Sequence, residues 1–283
     1  SPDDLREVGN YVTALEHGLR RSAELPLSLR LVREMHEILM TGVRGEHATP
    51  GELRKTQNWI GTPGCTLREA SFVPPPPDIL NECLRDWENF IHTSELPLLL
   101  IAALMHYQFE AIHPFLDGNG RIGRLLITLL LCERNALPGP FLYLSAFFEA
   151  SRSHYYERLN AVSSQSDWSG WFDYFLNGVI RQCEDALSRA ERINIILERW
   201  KADVRGSTPK ATYNVVESLA ANPYITPRGL EKELGVSFNT ASKAIKVLEG
   251  KGIMTQVGHS KRDRVYRAEA VLKILEEPAK LAP

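Results

Sequence analysis

The sequence predicts a mainly α-helical protein of two domains, and three observations carry that expectation. Apolar residues recur at helical spacing through most of the 283 residues. A short polar stretch, His113 to Arg124, separates two strongly apolar segments, Leu96 to Phe109 and Leu125 to Cys132. The pattern and charge then change after Gly206-Ser207-Thr208-Pro209. Residues 208–283 hold 12 Lys+Arg against 8 Asp+Glu, whereas residues 1–207 hold 21 against 27. Such an asymmetry points to two domains with different partners, 1–207 and 208–283.

Several classes drop out early. A formal net charge of −2 gives no global pull toward nucleic acid or membrane. Cys65, Cys83, Cys132 and Cys183 form no Cys-x-x-Cys pair, so neither a disulfide framework nor a zinc site is expected, and a cytoplasmic location is. The longest apolar run, Leu96 to Met105, contains Pro97 and is too short to span a bilayer. No signal peptide opens the chain. It also lacks an initiator Met, as a processed or truncated product would.

Taken in order, Ser1-Pro2-Asp3-Asp4 reads as a helix start, with a capping Ser, Pro at the first helical position and acids in the first turn. Val8, Tyr11, Val12, Leu15 and Leu19 follow at helical spacing. Leu25-Pro26-Leu27-Ser28 closes this helix and caps a second, through Leu31, Met35, Ile38 and Leu39 to Thr41-Gly42. His17 and His36 lie on these helices and are expected as surface or core residues. Gln57 to Gly61 and Ala70 to Val73 are strand-like pieces around Thr62-Pro63-Gly64, the pattern of a hairpin, and Pro74 to Pro77 stop further strand. Asp78 to Phe90 is amphipathic, with Ile79, Leu80, Cys83, Leu84 and Trp87 inward. Leu96 to Glu110 is apolar nearly all round and predicts a buried central helix. Leu125 to Glu133 continues its partner. Trp168, Trp171 and Phe172 share a helical spacing that suits a core. Val179 to Lys201 is a long charged helix ending at the linker.

The stretch His113-Pro114-Phe115-Leu116-Asp117-Gly118-Asn119-Gly120-Arg121-Ile122-Gly123-Arg124 carries the chemistry. It reads as a helix, a tight loop and a second helix beginning near Gly120. Gly118 and Gly120 permit positive φ and bring amides close to a ligand. First-turn N–H groups lack intrahelical partners and carry the positive end of the dipole, which makes an anion site. Arg121 and Arg124 share a helix face and suit several phosphates. Asp117 is a hard oxygen ligand placed for a phosphate-bound Mg²⁺. His113 is the one group in the stretch able to act as a base near neutral pH.

These twelve residues match the signature of the Fic family, His-x-Phe-x-(Asp/Glu)-Gly-Asn-Gly-Arg-x-x-Arg, at every fixed position, and the chain resembles that family. The resemblance implies a helical enzyme that moves AMP from ATP, with Mg²⁺, to a Tyr, Thr or Ser hydroxyl of a target protein, itself included. It implies that His113 deprotonates the hydroxyl and Asp117 holds Mg²⁺. Asn119 and the Gly118 and Gly120 amides would cradle the α- and β-phosphates, and Arg121 and Arg124 the β- and γ-phosphates. Phe115 would be a core anchor. Asn58-Trp59-Ile60-Gly61 and Phe72-Val73-Pro74 look like the family's flap, about residues 57–73, which holds the target segment by main-chain pairing. Tyr155 and Tyr156 look like the pair bordering the adenine, with two core tyrosines as the alternative. Ser163, with Asn160 nearby, stands where some members have Asn.

After the linker, Thr212 to Ala220, Pro227 to Leu234 and Ser237 to Lys251 read as helices. Ile253 to Val257 and Arg264 to Arg267 read as strands. This resembles a winged helix-turn-helix domain. The third helix would present Ser237, Asn239, Thr240, Ser242 and Lys243 to a DNA groove, with Lys261 and Arg262 reaching phosphates. Dimerisation or partner binding is the alternative use, and a homodimer is an expected assembly. Two further functional readings stand beside AMP transfer: a DNA-binding regulator whose Fic domain senses nucleotide, and transfer of another phosphate-containing group on the same fold. The family's inhibitory pattern, Ser/Thr-x-x-x-Glu-Gly/Asn, is absent from the sequence. Its Glu would pair with Arg124, so an inhibitory helix is expected upstream of Ser1 or from a partner.

Overall fold

In the computed structural model, which describes residues 2–22, 24–43, 49–62, 64–258 and 264–278, the chain divides into two compact units, 1–182 and 183–283. The first contains α1 (Pro2–Ser22), α2 (Leu29–Met40), α3 (Leu80–Thr93), α4 (Leu98–Ile112), α5 (Asn119–Glu133), α6 (Leu144–Ala150) and α7 (Arg152–Gln165). It also contains the first part of α8 (Trp168–Asp203). Ser28 caps α2 by accepting from the Leu31 amide, as the sequence predicts.

α4 and α5 are the buried pair. Ile101, Ala102, Ala103, Met105, Phe109 and Ile112 of α4 are buried, as are Ile122 and Leu125 to Leu131 of α5. α3 packs on α4, and α1 packs on α2 and α5. Two tryptophans lock α4 from opposite neighbours in sequence. Trp87 donates its indole N–H to the Met105 carbonyl at 3.0 Å, and Trp171 donates to the Ala103 carbonyl at 3.1 Å. Gly123 lets the pair approach, since a Cβ there would lie 2.7 Å from Glu110 Oε1 and 3.3 Å from Phe109. Burial on this scale fixes the loop between the two helices.

Three expectations change. The predicted hairpin is a single antiparallel bridge, Ile60 to Phe72, with a 3₁₀ turn at Leu67–Glu69 inside it. Pro74 to Pro77 donate no N–H, so the ladder cannot lengthen past Val73. Ile79 is exposed rather than inward, because α3 begins after it at Leu80. The unit boundary falls at 182/183, inside α8, rather than at the linker after Ser207. The cause is packing: Leu197, Trp200 and Val204 at the end of α8 belong to the core of the second unit.

That second unit continues through α9 (Ala211–Ala221), β1 (Tyr224–Ile225), α10 (Pro227–Leu234), α11 (Phe238–Gly250), β2 (Thr255–Val257), β3 (Val265–Arg267) and α12 (Glu269–Leu275). The strands form an antiparallel sheet in the order β1-β3-β2, pairing Ile225 with Tyr266 and Gln256 with Tyr266. β1 was not legible as a strand, being two residues long. Thr226 and Ser237 cap α10 and α11 by accepting from the Gly229 and Thr240 amides.

Candidate functional site

The loop between α4 and α5 is built from side chains that bond to main chain. His113 ends α4 in the left-handed region, at φ 48° and ψ 60°. Gly118 opens α5, also left-handed, at φ 79°. A side chain at 118 has no room, because its Cβ would lie 2.7 Å from Met40 Sδ and 3.2 Å from His36 Nε2. Between these two, Asn119 closes the loop on itself. Its Oδ1 accepts from the Phe115 amide at 2.9 Å and its Nδ2 donates to the Phe115 carbonyl at 2.8 Å. With both ends used and only 2% of its surface exposed, Asn119 staples the loop. The first intrahelical bond of α5 runs from the Ile122 amide to the Gly118 carbonyl at 3.0 Å, so the Asn119, Gly120 and Arg121 amides precede it.

His36, expected only as surface or core, turns out to hold the loop from below. It is fully buried and its ring stacks on Phe115, 3.7 Å between centroids. Nε2–H donates to the Asp117 carbonyl at 2.9 Å, and Nδ1 accepts from the Gly51 amide at 2.9 Å. That pattern requires the neutral ring, and burial pushes its pKa down.

His113 carries the opposite tautomer. Its Nδ1 lies 3.2 Å from the Glu110 carbonyl, which can only accept, so Nδ1 holds the proton and Nε2 keeps a lone pair. Burial lowers its pKa to about 4, with the Arg54 charge adding to the effect. Asp117 is half exposed; its Oδ1 accepts from the Gly118 amide at 2.6 Å and lies 3.8 Å from Arg121. Arg121 also reaches Glu7 of α1 at 3.7 Å. The Arg124 guanidinium lies over Gly120, where a Cβ would come within 3.1 Å of its Nη1.

A cleft of about 530 Å³ opens beside the loop, lined by Ile60, Gly61 and Phe72 from the flap, Tyr107 and Glu110 from α4, and Tyr156 from α7. Asn160 and Ser163 line it too, and the Ser163 hydroxyl is 2.9 Å from that of Tyr107. The predicted tyrosine pair splits here. Tyr156 is half exposed and faces the cleft, while Tyr155 is 3% exposed and sits in the core. Helical geometry points neighbouring residues in different directions, and here only Tyr156 lines the cleft. Tyr155 O–H donates to His106 Nε2 at 2.9 Å, whose Nδ1–H donates to the Gly123 carbonyl at 3.1 Å. His106 is fully buried and burial lowers its pKa to about 3. The Glu110 carboxyl is buried too, its Oε1 has no hydrogen-bond partner, and desolvation raises its pKa to about 7 against the pull of Arg124. His36, His106 and Glu110 carried no sequence signal beyond their type.

The flap residues divide as well. Asn58 turns inward and donates to the His113 carbonyl at 3.2 Å and the Phe115 carbonyl at 3.0 Å. Trp59 is 42% exposed, and Ile60 and Gly61 border the cleft. Among the described residues, no group of three or more His, Cys, Asp or Glu could hold a metal ion. A single carboxylate completed by phosphate oxygens is the usual way Mg²⁺ is held with a nucleotide, and Asp117 at the amide-rich start of α5 fits it. In the second unit Ser237, Asn239 and Lys243 are exposed, and Thr240 is half-buried. Ser237 and Thr240 spend polar groups on capping α11. Lys261 and Arg262 lie outside the described residues. Among those residues, no helix is long and apolar enough to cross a membrane.

Residues 26–131, which hold the flap and the whole signature, match the family model described as the Fic/DOC family. Within that region the chain is 36% identical over 118 residues to the protein adenylyltransferase Fic of Drosophila virilis, covering 41% of this chain and 22% of that protein. It is 37% identical over 86 residues to a probable protein adenylyltransferase of Aquifex aeolicus, covering 29% of this chain and 27% of the relative. The matched stretches thus span about a quarter of these relatives' length or less. The fold is that of a Fic family protein from Desulfovibrio desulfuricans G20, with a TM-score of 0.58 and 21% identity over 95% of this chain and 76% of that one. A Fic-domain signaling protein from Bacteroides thetaiotaomicron gives a TM-score of 0.52 and 21% identity over 66% and 72% of the two chains.

Proposed function

We propose that residues 26–131 are the core of a protein adenylyltransferase, which transfers AMP from ATP to a Tyr, Thr or Ser hydroxyl of a target protein, this chain included. The observation that carries the reading is His113. Its Nδ1 proton is committed to the Glu110 carbonyl, and burial keeps the ring neutral at pH 7. Nε2 is therefore ready to take the proton of a target hydroxyl. The hydroxyl oxygen bonds the α-phosphorus, the bond to the β-phosphate oxygen breaks, and pyrophosphate leaves. The amides from Asn119 to Arg121, with Arg121 and Arg124, would receive the phosphates; Tyr156 and the cleft would take the nucleoside. Mg²⁺ at Asp117 would offset negative charge on the phosphates.

Two ATP labels test this. Label from the α-phosphate should appear on protein and label from the γ-phosphate should not. Transfer of the γ-label would mean a kinase on the same fold. Nucleotide binding with no transfer of either label would leave the regulator that senses nucleotide.

The second unit is read as a winged helix-turn-helix. Support comes from the short connection between α10 and α11, from the β2–β3 pair after them, and from Asn239 and Lys243 exposed near the start of α11. Duplex binding by residues 183–283 should weaken steeply with salt, since phosphate contacts release counterions. Binding that ignores salt, or none, would leave dimerisation or partner binding as its role.

A further inference from the structure

Arg54 lies outside every motif in the sequence, yet it is only 3% exposed. A buried guanidinium ordinarily meets a carboxylate. The hydrogen bonds of Arg54 go to carbonyls instead. Nε donates to His113 at 2.9 Å, Nη2 to Pro75 at 2.5 Å and to Ile112 at 3.3 Å, and Nη1 to Thr56 at 3.4 Å. Its own amide donates to the Pro114 carbonyl at 2.9 Å.

The acceptors fall into two groups. Ile112 and His113 are at the C-terminal end of α4, where carbonyls lack intrahelical donors and the dipole favours a cation. Thr56 and Pro75 bracket the flap. Asn58, inside the flap, grips the His113 carbonyl a second time. We propose that Arg54, with Asn58 beside it, is a positioning residue that holds the base of the flap and the backbone of His113 in one register. The role rests on the AMP-transfer reading, because that reaction needs the flap-bound target segment and the His113 ring to meet at one hydroxyl. Arg suits it and Lys does not. A rigid fork of five donors can serve both groups of carbonyls, whereas a single ammonium cannot.

The test uses the full chain as its own acceptor, with Arg54→Gln, Arg54→Lys, Asn58→Ala and the double variant Arg54→Gln/Asn58→Ala. All should bind ATP within about twofold of the parent, since neither Arg54 nor Asn58 bonds the amides or arginines proposed to receive the phosphates. Transfer at saturating ATP should fall roughly 10- to 100-fold in both Arg54 variants, the cost of a small misplacement. The two single losses should be less than additive when combined, as for one shared device. In a further variant, Arg54→Ala, guanidinium ion should restore part of the rate in a saturable way. Exchange of the Ile60 amide, bonded to Phe72 across the flap, should quicken in Arg54→Gln. The inference is overturned if Arg54→Lys transfers at the parent rate. It is equally overturned if the Arg54 variants lose ATP binding and thermal unfolding together, which is a merely structural role. A parent chain that transfers nothing would sink the AMP-transfer reading instead. Ile60 exchange would then still decide the coupling, with unchanged exchange counting against it.

Discussion

The signature loop and the flap are neighbours, joined through Asn58, but are held in opposite ways. The loop is cross-tied from three elements: His36 from α2, Asn119 from α5 and Arg54 from the segment before the flap each bond its main chain. The flap beyond its base has one bridge, a 3₁₀ turn and an exposed Trp59. On the AMP-transfer reading, rigidity would lie where proton transfer and phosphate charge need fixed geometry, and the looser flap where a target segment would be accommodated. The chemistry would then be preset by the fold, and the choice of target left to the flap.

Substitutions should therefore split by region. The largest effect is expected from His113→Ala, with transfer down about 10²- to 10⁴-fold and ATP affinity kept, as for loss of a general base. Unchanged transfer in that variant would remove His113 from the chemistry. Gly118→Ala comes next. It forces a side chain into positive φ against Met40 Sδ at 2.7 Å, and should lower stability by roughly 2–4 kcal/mol in denaturant titration. A neutral result would mean the loop is softer than its packing implies.

Acid sharpens the contrast without a substitution. His36, His106 and His113 all sit below the usual 6.5, chiefly through burial. Between their folded values and 6.5 the unfolded chain binds more protons, so the stability they contribute is full above 6.5 and lost as pH falls. Glu110, raised to about 7 from 4.5, runs the other way; its contribution is present below 4.5 and lost as pH rises through 7. Three groups oppose one. Unfolding free energies from urea titration should fall from pH 6.5 to 4.5, by up to roughly 1.4 kcal/mol per pH unit for each fully buried histidine left uncompensated. A flat profile would argue against neutral buried rings. The smallest stability effect belongs to the flap: Trp59→Ala should stay within about 0.5 kcal/mol, yet change which acceptors are labelled. A large stability loss there would erase the distinction between the two regions.

The helices around the loop were legible because their signals are local. Apolar periodicity marked α4 and α5, Ser28 marked the cap of α2, and the loop glycines marked the turn. The residues that hold the loop were not legible, for the opposite reason. His36 and Asp117 are 81 positions apart, and Arg54 and His113 are 59 apart. A side chain that bonds a distant carbonyl leaves no pattern in its own neighbourhood. Tyr155 and Tyr156 show the same limit, since a shared sequence position did not give them a shared direction. Gly206 to Pro209 reads as a linker from composition, while the packing that draws Leu197, Trp200 and Val204 into the core of the second unit leaves no local sign of a unit boundary.

The hydrogen bonds that His36, Arg54, Asn58 and Asn119 make to the signature loop end on peptide groups: the Phe115 amide and carbonyl, and the carbonyls of His113, Pro114 and Asp117. Peptide groups are the same whatever side chain they carry. Leu116 is exposed and its side chain makes none of these bonds, so it can change without unsettling the loop that presents it. An acidic residue longer by one methylene at 117 would inherit the same backbone, still held at its carbonyl by the His36 ring, and would reach further from it.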